Sequence, residues 1–306
     1  ISFIGCCLNS GKTNQDLFSY WHSTGDIELD SVLLDKAHEN AIKSFCKNAQ
    51  NLSDLNILHA VTDYLTHSAL YYSSKVGHKK EIQLSQKFYG EKDEKTLSAQ
   101  YGLILVKAEL GKVSEIINDL DELIKKQREL FGEFHKTTLK SMMLQADFFN
   151  MSGKNEESEF QIKYVNKLLT KHHGKFHSLT LESLNVYGVR LLENGKIEEA
   201  LHNFNTCLNR RIKIDGERSV GVQICKINIA SCFLRLGEIT KAITVSKDSS
   251  DLLEDILGET HSNTILTRLV LAKSYTYGEN YQEAKAIFCK NSALFAFKKF
   301  SCLGFI

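Results

Sequence analysis

This sequence predicts an all-α fold, a right-handed α-solenoid of stacked antiparallel helix pairs, on two observations. The first is local. In LTLESLNVYGVRLLENGKIEEALHNFNTCLNRRIKIDG (179–216) two amphipathic stretches flank Asn194-Gly195. Leu181, Leu184, Tyr187, Gly188 and Leu191 fall at helical spacing before the break, and Ile197, Ala200, Leu201, Phe204, Cys207 and Leu208 after it. Neither half is long enough to be stable alone in water, so the two are expected to pack as a hairpin that turns at Gly195. The second observation is repetition. In steps of 42 residues the turn glycine recurs as Gly111, Gly153, Gly195 and Gly237, then as Glu279 beside Gly278. A glycine closing the second helix recurs as Gly90, Gly132, Gly174, Gly216 and Gly258. A threonine opening the first helix recurs as Thr96, Thr138, Thr180 and Thr264, with Val222 the exception. Two glycine series held in register mark a repeat protein.

Composition excludes several functions. Lys+Arg number 38 against Asp+Glu 37, a net charge of +1, which leaves no basic excess for nucleic acid or acidic lipid. No apolar run reaches 18 residues, so no membrane insertion is expected. The eight cysteines form no extracellular framework and read as free, buried thiols of a reducing compartment, which points to a cytoplasmic protein. Asn51-Leu-Ser and Asn150-Met-Ser are glycosylation triplets of the kind that arise by chance, and Asn150 falls within an expected helix.

Residues 1–29 read as a poorly structured leader. ISFIGCCLNSGKT ends in Gly11-Lys12-Thr13 like a phosphate-binding loop, whose glycines let backbone amides wrap a phosphate. The first glycine of that motif falls on Cys6, with Gly5 one position off, and helical patterns rather than a parallel sheet follow from Asp30. No nucleotide and no other cofactor is therefore expected. Residues 30–90 read as a helical N-terminal cap or degenerate repeat. Leu33, Leu34, Ala37, Ala41, Ile42 and Phe45 form one apolar face. Ser53-Asp54 is placed to cap a second helix carrying Leu55, Leu58, Val61, Tyr64, Leu65 and Tyr71, and Gly77 is expected to break the chain before a shorter third helix.

Residues 91–298 hold five repeats of 42 residues. Their first helices carry a small residue at Ala146, Gly188, Ala230 and Ala272, and one turn later a large one at Phe149, Leu191, Phe233 and Tyr275. Their second helices carry an early alanine at Ala200, Ala242 and Ala284, with Ile116 and Ser158 departing. Position by position these units resemble tetratricopeptide repeats in the long form of kinesin light chains. The junctions GEFHKTT, GKFHSLT and GETHSNT place Lys136, Ser178 and Ser262 where that family usually has proline, and the chain has no proline at all. His172, His173 and His177 resemble a metal cluster, but His135, His177 and His261 share one repeat position, so a recurrent loop role is expected and no metal site.

The resemblance implies function as well as fold. In the family, first helices line a concave groove that binds extended or helical peptide segments. It places Tyr101, Lys140, Asp147, Asn185, Asn228, Ser231, Arg235, Lys273 and Tyr277 on that side, where kinesin-light-chain units often carry tandem asparagines. Asn185 matches the first of such a pair and Asn228 the second, whereas Gly102, Leu144, Val186 and Val270 interrupt the ladder. No nucleophile, base and orienting acid are brought together by any spacing, so no enzyme is expected. The reading is a non-catalytic scaffold or adaptor with a protein or peptide ligand. The alternative is a regulatory repeat region of a larger nucleotide-switch or peptide-sensing protein, with an upstream domain missing. At the other end, residues 299–306 form an apolar tail after Leu294, Phe295 and Phe297, and the chain is expected to self-associate through it.

Overall fold

The computed structural model describes residues 27–295 apart from 68, 69, 112 and 260. These residues form thirteen helices and no strand: α1 (Ile27–Asn48), α2 (Leu52–His67), α3 (Tyr71–Tyr89), α4 (Glu94–Glu109), α5 (Val113–Phe131), α6 (Lys136–Met151), α7 (Asn155–His173), α8 (Ser178–Glu193), α9 (Ile197–Asp215), α10 (Val220–Arg235), α11 (Ile239–Leu257), α12 (Ser262–Tyr277) and α13 (Tyr281–Phe295). The fold is an all-α helical repeat of the solenoid class. Most of the leader with its Gly11-Lys12-Thr13, and the apolar tail, lie outside the described residues. No helix among those described is long and apolar enough to cross a membrane.

The repeat is regular to the residue. First helices α4, α6, α8, α10 and α12 begin at Glu94, Lys136, Ser178, Val220 and Ser262, each 42 after the last. The residue before each start caps it. Asp93, His177, Ser219 and His261 all adopt extended backbone there, and their side chains accept a hydrogen bond from a backbone N–H of the first turn. Nδ1 of His135 accepts from Thr137 N at 3.4 Å in the same place. The recurrent histidine is thus a helix cap. Behind the cap, the Thr96 and Thr138 hydroxyls donate to the carbonyls of Gly90 and Gly132 at 2.7 and 3.0 Å, tying each new helix to the glycine that closed the previous one. The turn glycines have φ near +75°, and Glu279 takes up φ +60° in their place in the last repeat.

The described residues divide into two compact units, with the boundary between Ser141 and Met142 inside α6. In the first unit the N-terminal region corrects three expectations. Helices α2 and α3 start at Leu52 and Tyr71, 42 residues before α4 and α5, so this pair is in register with the repeats. Asn51, not Ser53, caps α2: its Oδ1 accepts from Asp54 N at 2.9 Å, while Asp54 Oδ2 accepts from Asn51 N and Gln50 N. Tyr71 opens α3 instead of lying on α2, and Gly77 sits within α3. A Cβ at Gly77 would stand 2.2 Å from Thr62 Cγ2, so the glycine answers close helix packing, not a break.

The same pair holds a buried polar cluster beside the apolar core of Ile42, Leu55, Leu58, Val61, Leu65 and Leu84. Glu81 accepts from Nδ1 of His59 at 2.7 Å and Nδ1 of His78 at 2.9 Å, and from the Thr62 hydroxyl at 3.1 Å. Burial acts to raise the Glu81 carboxyl, but the two histidine hydrogen bonds outweigh it and hold the group at about 2. The Glu81 hydrogen bond in turn raises His59 above its ordinary 6.5. Glu81 therefore contributes stability that is present above its ordinary 4.5 and lost as pH falls toward 2. His59 contributes stability that is full below 6.5 and lost as pH rises through its raised folded value. Urea midpoints should be highest between these limits and drop on both sides. Glu81→Gln should abolish the acid-side drop due to this cluster; an unchanged acid limb would remove Glu81 from the account.

In the second unit the departures from the repeat pattern have local explanations. Ser158, where alanine was expected, is fully buried and donates to Ala146 O at 2.6 Å across the helix pair. Ser74 occupies the same repeat position in the first unit and donates to Thr62 O at 3.3 Å. Gly188 faces the ring of Phe204, and a Cβ there would stand 2.6 Å from it. Val189, Leu191, Ala200, Phe204, Ile229 and Cys232 close this part of the core.

Candidate functional site

The nine groove residues divide between the two units. Tyr101 and Lys140 belong to the first, on α4 and α6, where Lys140 Nζ lies 5.3 Å from the Tyr101 ring centroid, a cation–π contact. Asp147, Asn185, Asn228, Ser231, Arg235, Lys273 and Tyr277 belong to the second, on α6, α8, α10 and α12.

Four of these seven are engaged inside the fold. Asp147 Oδ1 accepts from Arg190 Nη2 at 2.5 Å, and Arg190 Nη1 donates to Glu193 Oε2 at 2.5 Å. Arg190 is 3% exposed and sits where neighbouring repeats place Phe148 and Cys232, so a guanidinium replaces an apolar side chain and joins two first helices. Burial drives the Asp147 carboxyl above its ordinary range against the pull of Arg190. The Ser231 hydroxyl donates to Ile227 O of its own helix at 3.1 Å. Asn185 Oδ1 accepts from Asn228 Nδ2 at 2.9 Å, which links α8 to α10 and leaves both residues half-buried. Asn228 is thus less exposed than the resemblance implied.

The remaining three face outward. Arg235 is exposed, Lys273 half-buried and Tyr277 66% exposed. Asn228, Ser231 and Arg235 follow one another at spacings of three and four on α10, and Lys273 and Tyr277 hold the Ser231 and Arg235 positions on α12, so all five lie on the same side of two consecutive first helices. Burial, then the nearby Arg235 charge, lowers Lys273 below its ordinary 10.5. Among the described residues no carboxylate forms an ion pair with either cation. Two like charges brought together without a counter-ion do not serve the fold.

Sequence spacing could not reveal Arg190, whose partners lie 43 residues back and one turn ahead. The signal was a charge in an otherwise apolar repeat column. Among the described residues no group of three or more His, Cys, Asp or Glu side chains is arranged to hold a metal ion.

Comparison with known proteins places these observations. Residues 223–294 match the tetratricopeptide repeat family model. No curated protein matches the chain by sequence. Among solved structures, the TPR-like repeats of a Podosopora anserina chain described as a kinesin light chain superpose with a TM-score of 0.53 at 18% identity, covering 65% of this chain and 94% of that one. Aspartyl phosphate phosphatase F from Bacillus subtilis gives 0.61 at 12% identity over 92% of this chain and 72% of that one. A Rap protein complexed with competence and sporulation factor gives 0.56 at 11% over 87% and 70%. At these identities the likeness is one of fold.

Proposed function

We propose that this tetratricopeptide repeat chain is a non-catalytic scaffold or adaptor that holds a protein or peptide segment on the outward face of its first helices. The observation that carries the reading is the pair Arg235 and Lys273, two neighbouring cations with no ion-pair partner among the described residues, flanked by the exposed ring of Tyr277 and the amide of Asn228. The site suits a ligand segment with an acidic group for the cations and an apolar group for the ring. Asn228 and Asn185 offer amide donors and acceptors for its backbone. A cytoplasmic setting is part of the reading, supported by the free thiols of Cys46, Cys207, Cys225 and Cys232. A second reading, a regulatory repeat region of a larger peptide-sensing or nucleotide-switch protein, is favoured by the fold shared with the factor-bound Rap protein. It uses the same face.

Arg235→Glu combined with Asn228→Ala should release the bound partner in a quantitative pull-down while leaving helix content unchanged. Because Asn228 is bonded to Asn185, a stability loss of about 1 kcal/mol is expected alongside. Retained binding with a folded variant would place the partner elsewhere.

A further inference from the structure

The chain contains a second chemically distinctive place, at the joint between α9 and α10. Cys207 and Cys225 face one another there with their sulfurs 3.4 Å apart, both fully buried. Elsewhere the same two repeat positions hold Leu123 and Ser141, Val165 and Ser183, and Ser249 and Thr267, an arrangement of packing residues. At this joint alone among them both are thiols. We propose that Cys207 and Cys225 are a redox-sensitive dithiol, closed to a disulfide by hydrogen peroxide and reopened by a thiol reductant.

The surroundings divide the roles. Cys225 donates its proton toward Cys207, and this hydrogen bond first, then the Arg211 and Arg210 charges, lower the Cys207 thiol against the opposing effect of burial. Cys225 is pushed the other way by that same bond and by burial, and keeps its proton. Gly221 makes room for the guanidinium: a Cβ there would stand 2.5 Å from Arg211 Nη1. Cys207 is the sulfur that reacts first. Its thiolate attacks one peroxide oxygen, forming an S–O bond as the O–O bond breaks and releasing hydroxide. The Cys225 sulfur then attacks Cys207, forming the S–S bond as the S–O bond breaks, and its proton leaves with the departing hydroxide as water. Two thiols and one peroxide give one disulfide and two waters. Both sulfurs are buried, so the oxidant has to be small and to enter during local opening of the helix pair.

The disulfide would lock the second helix of one repeat to the first helix of the next. Cys225 Sγ also lies 3.9 Å from Asn185 Oδ1, the atom that accepts from Asn228, so the lock closes directly against two residues of the candidate binding face.

The test is peptide mapping of the full chain, reduced, treated with hydrogen peroxide below its melting temperature, alkylated and digested with trypsin. The expected product is the peptide 197–210 joined to 219–226, lost on addition of dithiothreitol. Arg211→Gln should slow its formation by about tenfold as the thiolate fraction falls. In Cys225→Ser, Cys207 should stop at the sulfenic acid and react with dimedone. Recovery of both peptides as separate alkylated thiols, while exposed Cys289 has oxidised, would overturn the proposal. So would linkage of Cys207 to Cys232 or Cys289 as often as to Cys225, which reports scrambling in unfolded chain.

Discussion

Phe204→Ala is expected to lower the stability of the second unit by about 3–5 kcal/mol, the cost of emptying a fully buried aromatic site. The ring fills the space that Gly188 leaves and packs with Val189, Leu191, Ala200, Ile229 and Cys232, residues of α8, α9 and α10. One side chain therefore joins a helix pair to the next repeat. Its partner substitution tests the same fit from the other side. In Gly188→Ala the new methyl would stand 2.6 Å from the ring, and overpacking of this kind costs about 1–3 kcal/mol. The preceding repeat carries Ala146 and Ile162 in these two places, both fully buried. Gly188→Ala combined with Phe204→Ile should thus be clearly more stable than the losses of Gly188→Ala and Phe204→Ile alone predict. Urea unfolding of the four proteins, followed by ellipticity, gives the coupling energy. Strict additivity would mean that the two positions do not share one cavity.

Arg190→Ala should cost about 3 kcal/mol near neutral pH. Removing one partner of a buried ion pair leaves the others without compensation, and here two carboxylates, Asp147 and Glu193, lose the same guanidinium. Both carboxylates keep some solvent contact, which keeps the cost at the low end for a buried pair. Burial already raises the Asp147 carboxyl, so its ionisation is the more costly state once Arg190 is gone. The difference between variant and parent should therefore narrow as the pH is lowered and Asp147 takes up its proton. A cost independent of pH would show that the arginine acts by packing its stem alone.

These two expectations rest on contacts that the sequence disclosed unequally. The helix pairs were legible because the glycine closing each second helix recurs without a slip, a turn glycine recurs until Glu279 replaces it, and Leu97, Leu139, Leu181 and Ile265 repeat the same buried position. The first pair was harder to see. Ala69 stands where its turn glycine would be and Gly77 offers a false break, yet Asn51 already occupied the cap column of Asp93, His135, His177, Ser219 and His261. The face of the first helices was legible in part. Arg235 and Tyr277 are exposed, as the resemblance implied, whereas Asp147 and Ser231 bond within the fold and Asn228 bonds to Asn185. Helical periodicity tells which way a side chain leaves its own helix. It does not tell what the next repeat places against it, and Arg190, Glu81 and the Cys207–Cys225 pair all belong to that second kind of information.

The central claim, that the first helices form the binding face, is tested most directly by photo-crosslinking from single positions. A photoreactive residue placed at Arg235 or Tyr277 samples the proposed face, and one at Glu199 or Lys247 samples exposed positions on second helices. The account predicts that the partner is captured from 235 and 277 and not from 199 and 247. Capture from the second-helix positions with none from the first would contradict it.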